Sequence, residues 1–259
     1  MITSNSNSQV KNVIQLLKKT KVRDKQDVFV VEGLKMFLEA PKENVVTVFV
    51  SQGFYGKDEN REYLSGVKFE IVEDKVFDHM SDTRTPQGVL CVLKQFHYSL
   101  EDIIGGENPL VLILEDLQDP GNLGTIIRTG EGTGIGGVIL SGNSVDVYNP
   151  KTIRATMGAI YRVPFLYVDK IQNVLPKLRE KRIRTYAAHL EGERLYDEED
   201  YKAGTAFFIG NEGKGLRDEL AGKADLFVKI PMKGEVESLN VAVAASVLMY
   251  EVSRQRRSH

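Results

Sequence analysis

The chain has one cysteine in 259 residues, Cys91, which excludes an internal disulfide and fits a reducing cytosol. Val89, Leu90, Val92 and Leu93 flank it, as for a strand residue that packs rather than reacts. No apolar run reaches the ~20 residues that a membrane helix requires. The first eight residues, Met1-Ile2-Thr3-Ser4-Asn5-Ser6-Asn7-Ser8, lack the apolar stretch of a secretion signal and are expected to form a disordered lead-in. The four histidines, His79, His97, His189 and His259, are scattered. No His/Cys/Asp cluster has metal-ligand spacing, so no metal is expected. A Ser-His-Asp hydrolase would need a G-x-S-x-G elbow, which is missing. No internal repeat is visible.

Net charge is only −2, so there is no global signature of a polyanion binder. The distribution is less neutral. Lys11, Lys18, Lys19, Lys21, Arg23 and Lys25 crowd a short N-terminal stretch against Asp24 alone, and Arg254, Arg256 and Arg257 lie near the end. Such a face is either a solvated helix surface or a site for nucleic acid. Hydrophobic content of 42% and charged content of 27% are those of a soluble globular protein, and the length admits two modest domains.

Apolar spacing predicts a helix over 8–20, then strands near 28–33, 45–51, 68–72 and 88–94, with a short helix at 34–39 stopped by Pro41. Strands alternating with helices make a small α/β domain over 9–98. Residues 99–108, ending in Gly105-Gly106-Glu107-Asn108, read as a linker. A second α/β series fills 109–259. Its strand at 110–117 is almost wholly apolar, as for a strand covered on both faces. A helix is expected from about Asn122, and a final one over 240–254.

Three polar segments interrupt this series at strand ends, where open α/β sheets bind ligands. In Asp119-Pro120-Gly121-Asn122-Leu123-Gly124-Thr125-Ile126-Ile127-Arg128, Asn122 is a good N-cap, and Arg128 reads locally as an exposed helix residue or ion-pair partner. Phe208-Ile209-Gly210-Asn211-Glu212-Gly213-Lys214-Gly215-Leu216 puts a carboxylate in a glycine-flanked loop, with Gly213 and Gly215 free to take positive φ. Ile230-Pro231-Met232 leads to Glu237-Ser238-Leu239-Asn240-Val241, where Ser238 or Asn240 caps the last helix. Gly130-Glu131-Gly132-Thr133-Gly134 closes a helix rather than opening one. It is a C-cap and not a dinucleotide loop. The loop at 210–215 also fails the Walker A pattern.

Together these three ordered segments resemble the SpoU (TrmH-type) branch of the SPOUT RNA methyltransferases. The resemblance covers about 110–254. The N-terminal domain resembles, by pattern alone, that family's ribosomal-protein-like RNA-binding domain. The implied fold is a C-terminal α/β domain with a deep trefoil knot. The implied cofactor is S-adenosylmethionine, held around Ile209, Gly210, Ile230, Met232 and Leu239. The implied reaction methylates a ribose 2′-hydroxyl in RNA, by a cytoplasmic homodimer.

By the same resemblance Asn122, Arg128, Glu212, Ser238 and Asn240 are the active-site positions. Asn122, Ser238 and Asn240 would orient the ribose, and Glu212 would hold the arginine or a partner loop in place. A guanidinium with a pKa above ~12 is a poor base, so Arg128 suits an adjacent phosphate and the developing alkoxide. Lys11, Lys18, Lys19, Lys21 and Arg23 would bind RNA phosphates. The expected substrate is 23S-type ribosomal RNA. A tRNA substrate and a non-catalytic ribosome-assembly role are the alternatives.

Overall fold

The computed structural model describes residues 1–190, Gly192 and 194–257. Residues 258 and 259, the end of the expected catalytic domain, and with them His259, lie outside the described residues. The first elements are α1 (Ser8–Lys18), α2 (Thr20–Gln26), β1 (Val28–Glu32), α3 (Leu34–Leu38), β2 (Val45–Ser51), α4 (Gln52–Tyr55), α5 (Asp58–Tyr63), β3 (Phe69–Val72), α6 (Asp74–Met80) and β4 (Val89–Lys94). Then come α7 (Leu100–Ile104), β5 (Leu110–Leu114), α8 (Pro120–Thr133), β6 (Gly137–Ser141), α9 (Pro150–Thr156), β7 (Phe165–Val168) and α10 (Leu175–Glu180). The series ends with β8 (Arg184–Ala188), β9 (Arg194–Leu195), β10 (Thr205–Ile209), α11 (Asp218–Ala221), β11 (Leu226–Lys229) and α12 (Val241–Arg257).

Contacts divide the chain into two compact units. One joins Met1–Phe96 to Asp146–Tyr161, and the other joins His97–Val145 to the described chain from Arg162 onward. These units do not follow the boundaries expected from sequence, because 146–161 leaves its sequence neighbours for the first unit. Its Tyr148 ring lies 4.5 Å from that of Phe29, and its Tyr161 hydroxyl donates to the Met36 carbonyl at 2.7 Å.

The first unit holds a four-stranded sheet in the order β1-β4-β2-β3, with β4 antiparallel to both neighbours and β2 parallel to β3. The predicted 8–20 helix breaks at Lys19, which is extended at φ −130°, so α1 and α2 are separate. Val10, Val13 and Leu16 bury one face of α1 against Val30, Phe49 and Phe77. The lead-in expected to be disordered is tied down. Ile2 pairs with Val72 and is buried, its N–H donating to the Ile71 carbonyl at 2.7 Å.

In the second unit, seven strands run parallel in the order β7-β6-β5-β10-β8-β11-β9. β5, β6 and β10 are buried at every residue, which explains why β5 is wholly apolar and why β6 and β10 depart from that only at their ends, Ser141 and Thr205. The stretch read as a linker contains α7, opened by a Ser99–Asp102 capping box, with Ile103 and Ile104 in this unit's core.

The strand order decides where a ligand can bind. From β5 the chain steps outward to β6 and β7, then returns to build the other side, where β10 inserts beside β5. The loops after β5 and β10 therefore diverge at a topological switch point, leaving a crevice at their carboxyl ends. The two loops start level, because Ile209 pairs with Leu114, and the Glu115 N–H donates to the Ile209 carbonyl at 2.9 Å.

Candidate active site

The β5 loop turns into α8 at Asp119-Pro120. Asp119, not Asn122, is the N-cap, since its carboxylate accepts the Asn122 N–H at 2.8 Å. Pro120 takes the first helical position, where its missing N–H costs nothing. The helix thus begins two residues earlier than expected, and the Asn122 side chain is released from capping.

That side chain joins two distant loops. Asn122 Nδ2 donates to Glu212 Oε1 at 3.1 Å, and Asn122 Oδ1 accepts Asn240 Nδ2 at 3.1 Å. Asn240 in turn caps α12, its Oδ1 accepting the N–H groups of Ala242 at 2.9 Å and Val243 at 3.3 Å. The polarity of this relay is forced. A helix N-terminus offers only donors and an ionised carboxylate only acceptors, so both amides must point the same way. The bland reading of Asn240 as a cap and its role in the relay are thus one geometry.

Glu212 ends the relay and also accepts the Asp119 N–H at 2.9 Å and the Gln118 N–H at 3.1 Å. Partial desolvation of this otherwise exposed side chain is the largest single influence on its carboxyl and pushes the pKa up. The hydrogen bonds from Asp119, Asn122, its own N–H and Gln118 together outweigh it, leaving the group below the usual carboxylate value. Glu212 holds the 118–119 loop and Asn122, and no hydrogen bond among the described residues joins it to Arg128.

The β10 loop is folded back on itself. The N–H groups of Asn211 and Gly215 donate to each other's carbonyls at 3.0 and 2.9 Å. Asn211 Oδ1 accepts the N–H groups of Gly213 at 2.8 Å and Lys214 at 3.1 Å, while its Nδ2 donates to the Asp116 carbonyl at 2.7 Å. Gly215 takes φ +70°, as its residue type permits, whereas Gly213 does not adopt a positive φ. A Cβ on Gly210 would lie 2.0 Å from the Leu216 nitrogen and 2.3 Å from the Gly215 oxygen, so only glycine fits there.

Several supporting residues escaped the sequence reading. Buried Glu115 grips the end of this loop, accepting the Arg217 N–H at 2.9 Å and its Nε at 2.6 Å. Asp116 sits at φ +51°, with its N–H and carboxylate both bonded to the Ser141 hydroxyl at 2.8 and 2.7 Å. Gln118 Nε2 bridges the carbonyls of Asp116 and Asn143 at 2.9 Å each. The local signal was a run of polar residues straight after an apolar strand, and their partners lie on other loops.

Arg128 and Ser238 are exposed, and among the described residues neither hydrogen-bonds to the relay. The structure therefore brings together three of the five expected site residues. Among the expected cofactor positions, Ile209 and Gly210 are buried at the end of β10, and Ile230, Met232 and Leu239 are half-buried. No hydrogen bond among the described residues occupies the N–H of Ile230, Met232 or Leu239. Apolar side chains beside unused backbone groups suit a planar base read along its polar edge.

In the first unit, Lys11, Lys18, Lys19 and Lys21 are exposed. Arg23 is not. It is 3% exposed, ion-paired with Asp146, and donates to the Leu16 carbonyl at 2.5 Å and the Thr20 hydroxyl at 2.9 Å. Its place among RNA-binding residues is corrected: helical spacing turns it away from the lysines and into the core.

A family model described as the SpoU rRNA Methylase family matches residues 109–250. The chain belongs to that family. The MRM3-like substrate binding domain matches residues 7–91 of this SpoU-family chain. It is 32% identical over 254 residues to the 23S rRNA (guanosine(2553)-2'-O)-methyltransferase RlmP of Bacillus subtilis (strain 168), covering 97% of this chain and 98% of that protein. It superposes with a TM-score of 0.86 and 31% identity on the AdoMet-bound rRNA methyltransferase from Sinorhizobium meliloti, covering 98% and 97% of the two chains. AviRb, the SpoU methyltransferase from Streptomyces viridochromogenes, was solved in complex with the cofactor AdoMet. It aligns with a TM-score of 0.88 and 27% identity over 97% of this chain and 99% of its own.

Proposed function

We propose that this SpoU-family protein transfers a methyl group from S-adenosylmethionine to a ribose 2′-hydroxyl in RNA, with 23S-type ribosomal RNA as substrate. The observation that carries the reading is the Asn240–Asn122–Glu212 relay at the β5/β10 switch point, in a chain 32% identical along nearly its whole length to a 23S rRNA 2′-O-methyltransferase.

S-adenosylmethionine supplies an electrophilic methyl on a sulfonium. Ile230, Met232 and Leu239 would hold its adenine through their backbone groups, with Ile209 and Gly210 closing the floor. Asn122, locked by Glu212 and Asn240, and Asn240, locked by Asn122 and the N-terminus of α12, present amide groups that orient the ribose. Ser238 adds a hydroxyl from the same loop as Asn240. Arg128 would bind the adjacent phosphate and stabilise negative charge developing on the 2′ oxygen. Alignment of the 2′ oxygen with the bound methyl donor and exclusion of water would carry much of the rate.

The exposed lysines of α1 and α2 supply phosphate contacts. Val243 and Tyr250 are 48% and 53% exposed on one face of α12 with half-buried Val247 between them, a face suited to a second copy of the chain. We read the protein as a homodimer with a trefoil knot in the catalytic unit, acting in the cytoplasm.

The test is transfer of labelled methyl from S-adenosylmethionine to ribosomal RNA and tRNA from cells lacking the gene. Label at one alkali-resistant position in 23S rRNA is expected. Label in tRNA alone would overturn the ribosomal substrate, and label in neither with cofactor bound would favour the assembly role.

A further inference from the structure

We infer that Lys214 contacts a backbone phosphate of the substrate RNA beside the target ribose, so that loop 210–217 is a substrate clasp as well as a support for Glu212. The inference rests on the proposed RNA methylation.

Fixing an exposed loop costs backbone entropy, and this one is fixed at nearly every residue. Asn211 closes it with two backbone and three side-chain hydrogen bonds, Glu115 pins its end at Arg217, and Gly210 admits a backbone approach that no other residue allows. Each of these bonds uses main chain or the side chains of Asn211, Glu115 and Arg217. None uses the Lys214 side chain, which is exposed and makes no hydrogen bond or ion pair among the described residues.

The two charged side chains of the tip are sorted. Glu212 is bonded to the 118–119 backbone and to Asn122, which leaves the Lys214 ammonium outward on the adjoining turn. A ribose bound at Asn122 and Asn240 is flanked by phosphates on both sides, and a strongly hydrated ammonium is a fitting point contact for one of them. The rigid loop spares much of the ordering cost of that contact.

The experiment measures binding of unmodified 23S rRNA transcript across a salt series, together with methylation kinetics, for the wild type, Lys214→Ala, Lys214→Arg and Lys202→Ala. Lys202 is exposed just before β10, at the opposite end of that strand. Lys214→Ala is expected to flatten the slope of log affinity against log salt by about 0.7–0.9. It should raise KM for RNA about two- to fivefold, with kcat and S-adenosylmethionine affinity kept. Lys214→Arg should restore both values, and Lys202→Ala should change neither. A salt slope in Lys214→Ala equal to that of the wild type overturns the inference, including the case where kcat or cofactor affinity falls instead. A wild type that binds the transcript but methylates no RNA overturns the functional reading alone, and the slope still decides the phosphate contact.

Discussion

Replacing Asn122 by Asp tests the forced polarity of the relay. The substitution keeps shape and the acceptor for Asn240 but puts an anion where Asn122 Nδ2 donates to Glu212 at 3.1 Å. Two unit charges at that distance repel by about 1.3 kcal/mol in bulk water and about 5 kcal/mol at an effective dielectric of ~20. Glu212 is exposed, so the lower figure applies, at about 1–2 kcal/mol, with about 1 kcal/mol more for the lost hydrogen bond. Together these amount to a roughly 30-fold or larger fall in kcat/KM at pH 8. Repulsion of ~1–2 kcal/mol raises the new carboxyl by about one pKa unit, and its protonated form is again a donor to Glu212. Activity relative to wild type should therefore climb as the pH is lowered from about 8.5 toward about 5.5. Asn122→Ala, with no proton to regain, should stay flat. Methyl transfer to 23S rRNA across that range is the assay. Parallel profiles for the two variants would refute the argued polarity.

Gly210→Ala places a Cβ 2.0 Å from the Leu216 nitrogen, so the loop must move. A thermal melt should show a loss at or above the ~1–3 kcal/mol typical of overpacking, and calorimetry should show S-adenosylmethionine binding lost. Arg23→Ala leaves Asp146 without its buried partner and should cost about 3–5 kcal/mol in denaturant unfolding. It should leave the salt dependence of RNA binding unchanged, whereas Lys18→Ala flattens it. The Arg254 guanidinium bonded to Glu251, with Gln255 adding to it, holds the Glu251 carboxyl below its ordinary value against the opposing push of burial. That stabilisation is complete above the ordinary carboxylate pKa of ~4.3 and is lost as pH falls through the lowered value. Glu251→Gln should accordingly flatten the acid limb of the melting temperature, read by circular dichroism between about pH 5 and 2.5.

Particular residues show how far the chain could be read unaided. Val10, Val13 and Leu16 announced a buried helix face, and Gly134 closes α8 at φ +73° as a C-cap, because both signals are local. Asn122 was visible as a polar residue near a helix start. Its release from capping was not, since Asp119 and Asn122 compete for the same end and only geometry chooses. Arg23 shared its stretch with five lysines, and composition carries no direction. Its pairing with Asp146 lies 123 residues away.

Periodicity and turn chemistry determined the α/β class and most strands, because those signals act over a few residues, and the resemblance of the three polar segments to the SpoU branch named the five candidate positions. Tertiary structure decided the rest. It placed β10 beside β5, sent 146–161 to the first unit, and joined Asn122 to Glu212 across 90 residues and to Asn240 across 118. The physical reason is that a hydrogen bond needs its partner within about 3 Å, and no local pattern records which distant loop the sheet will bring there.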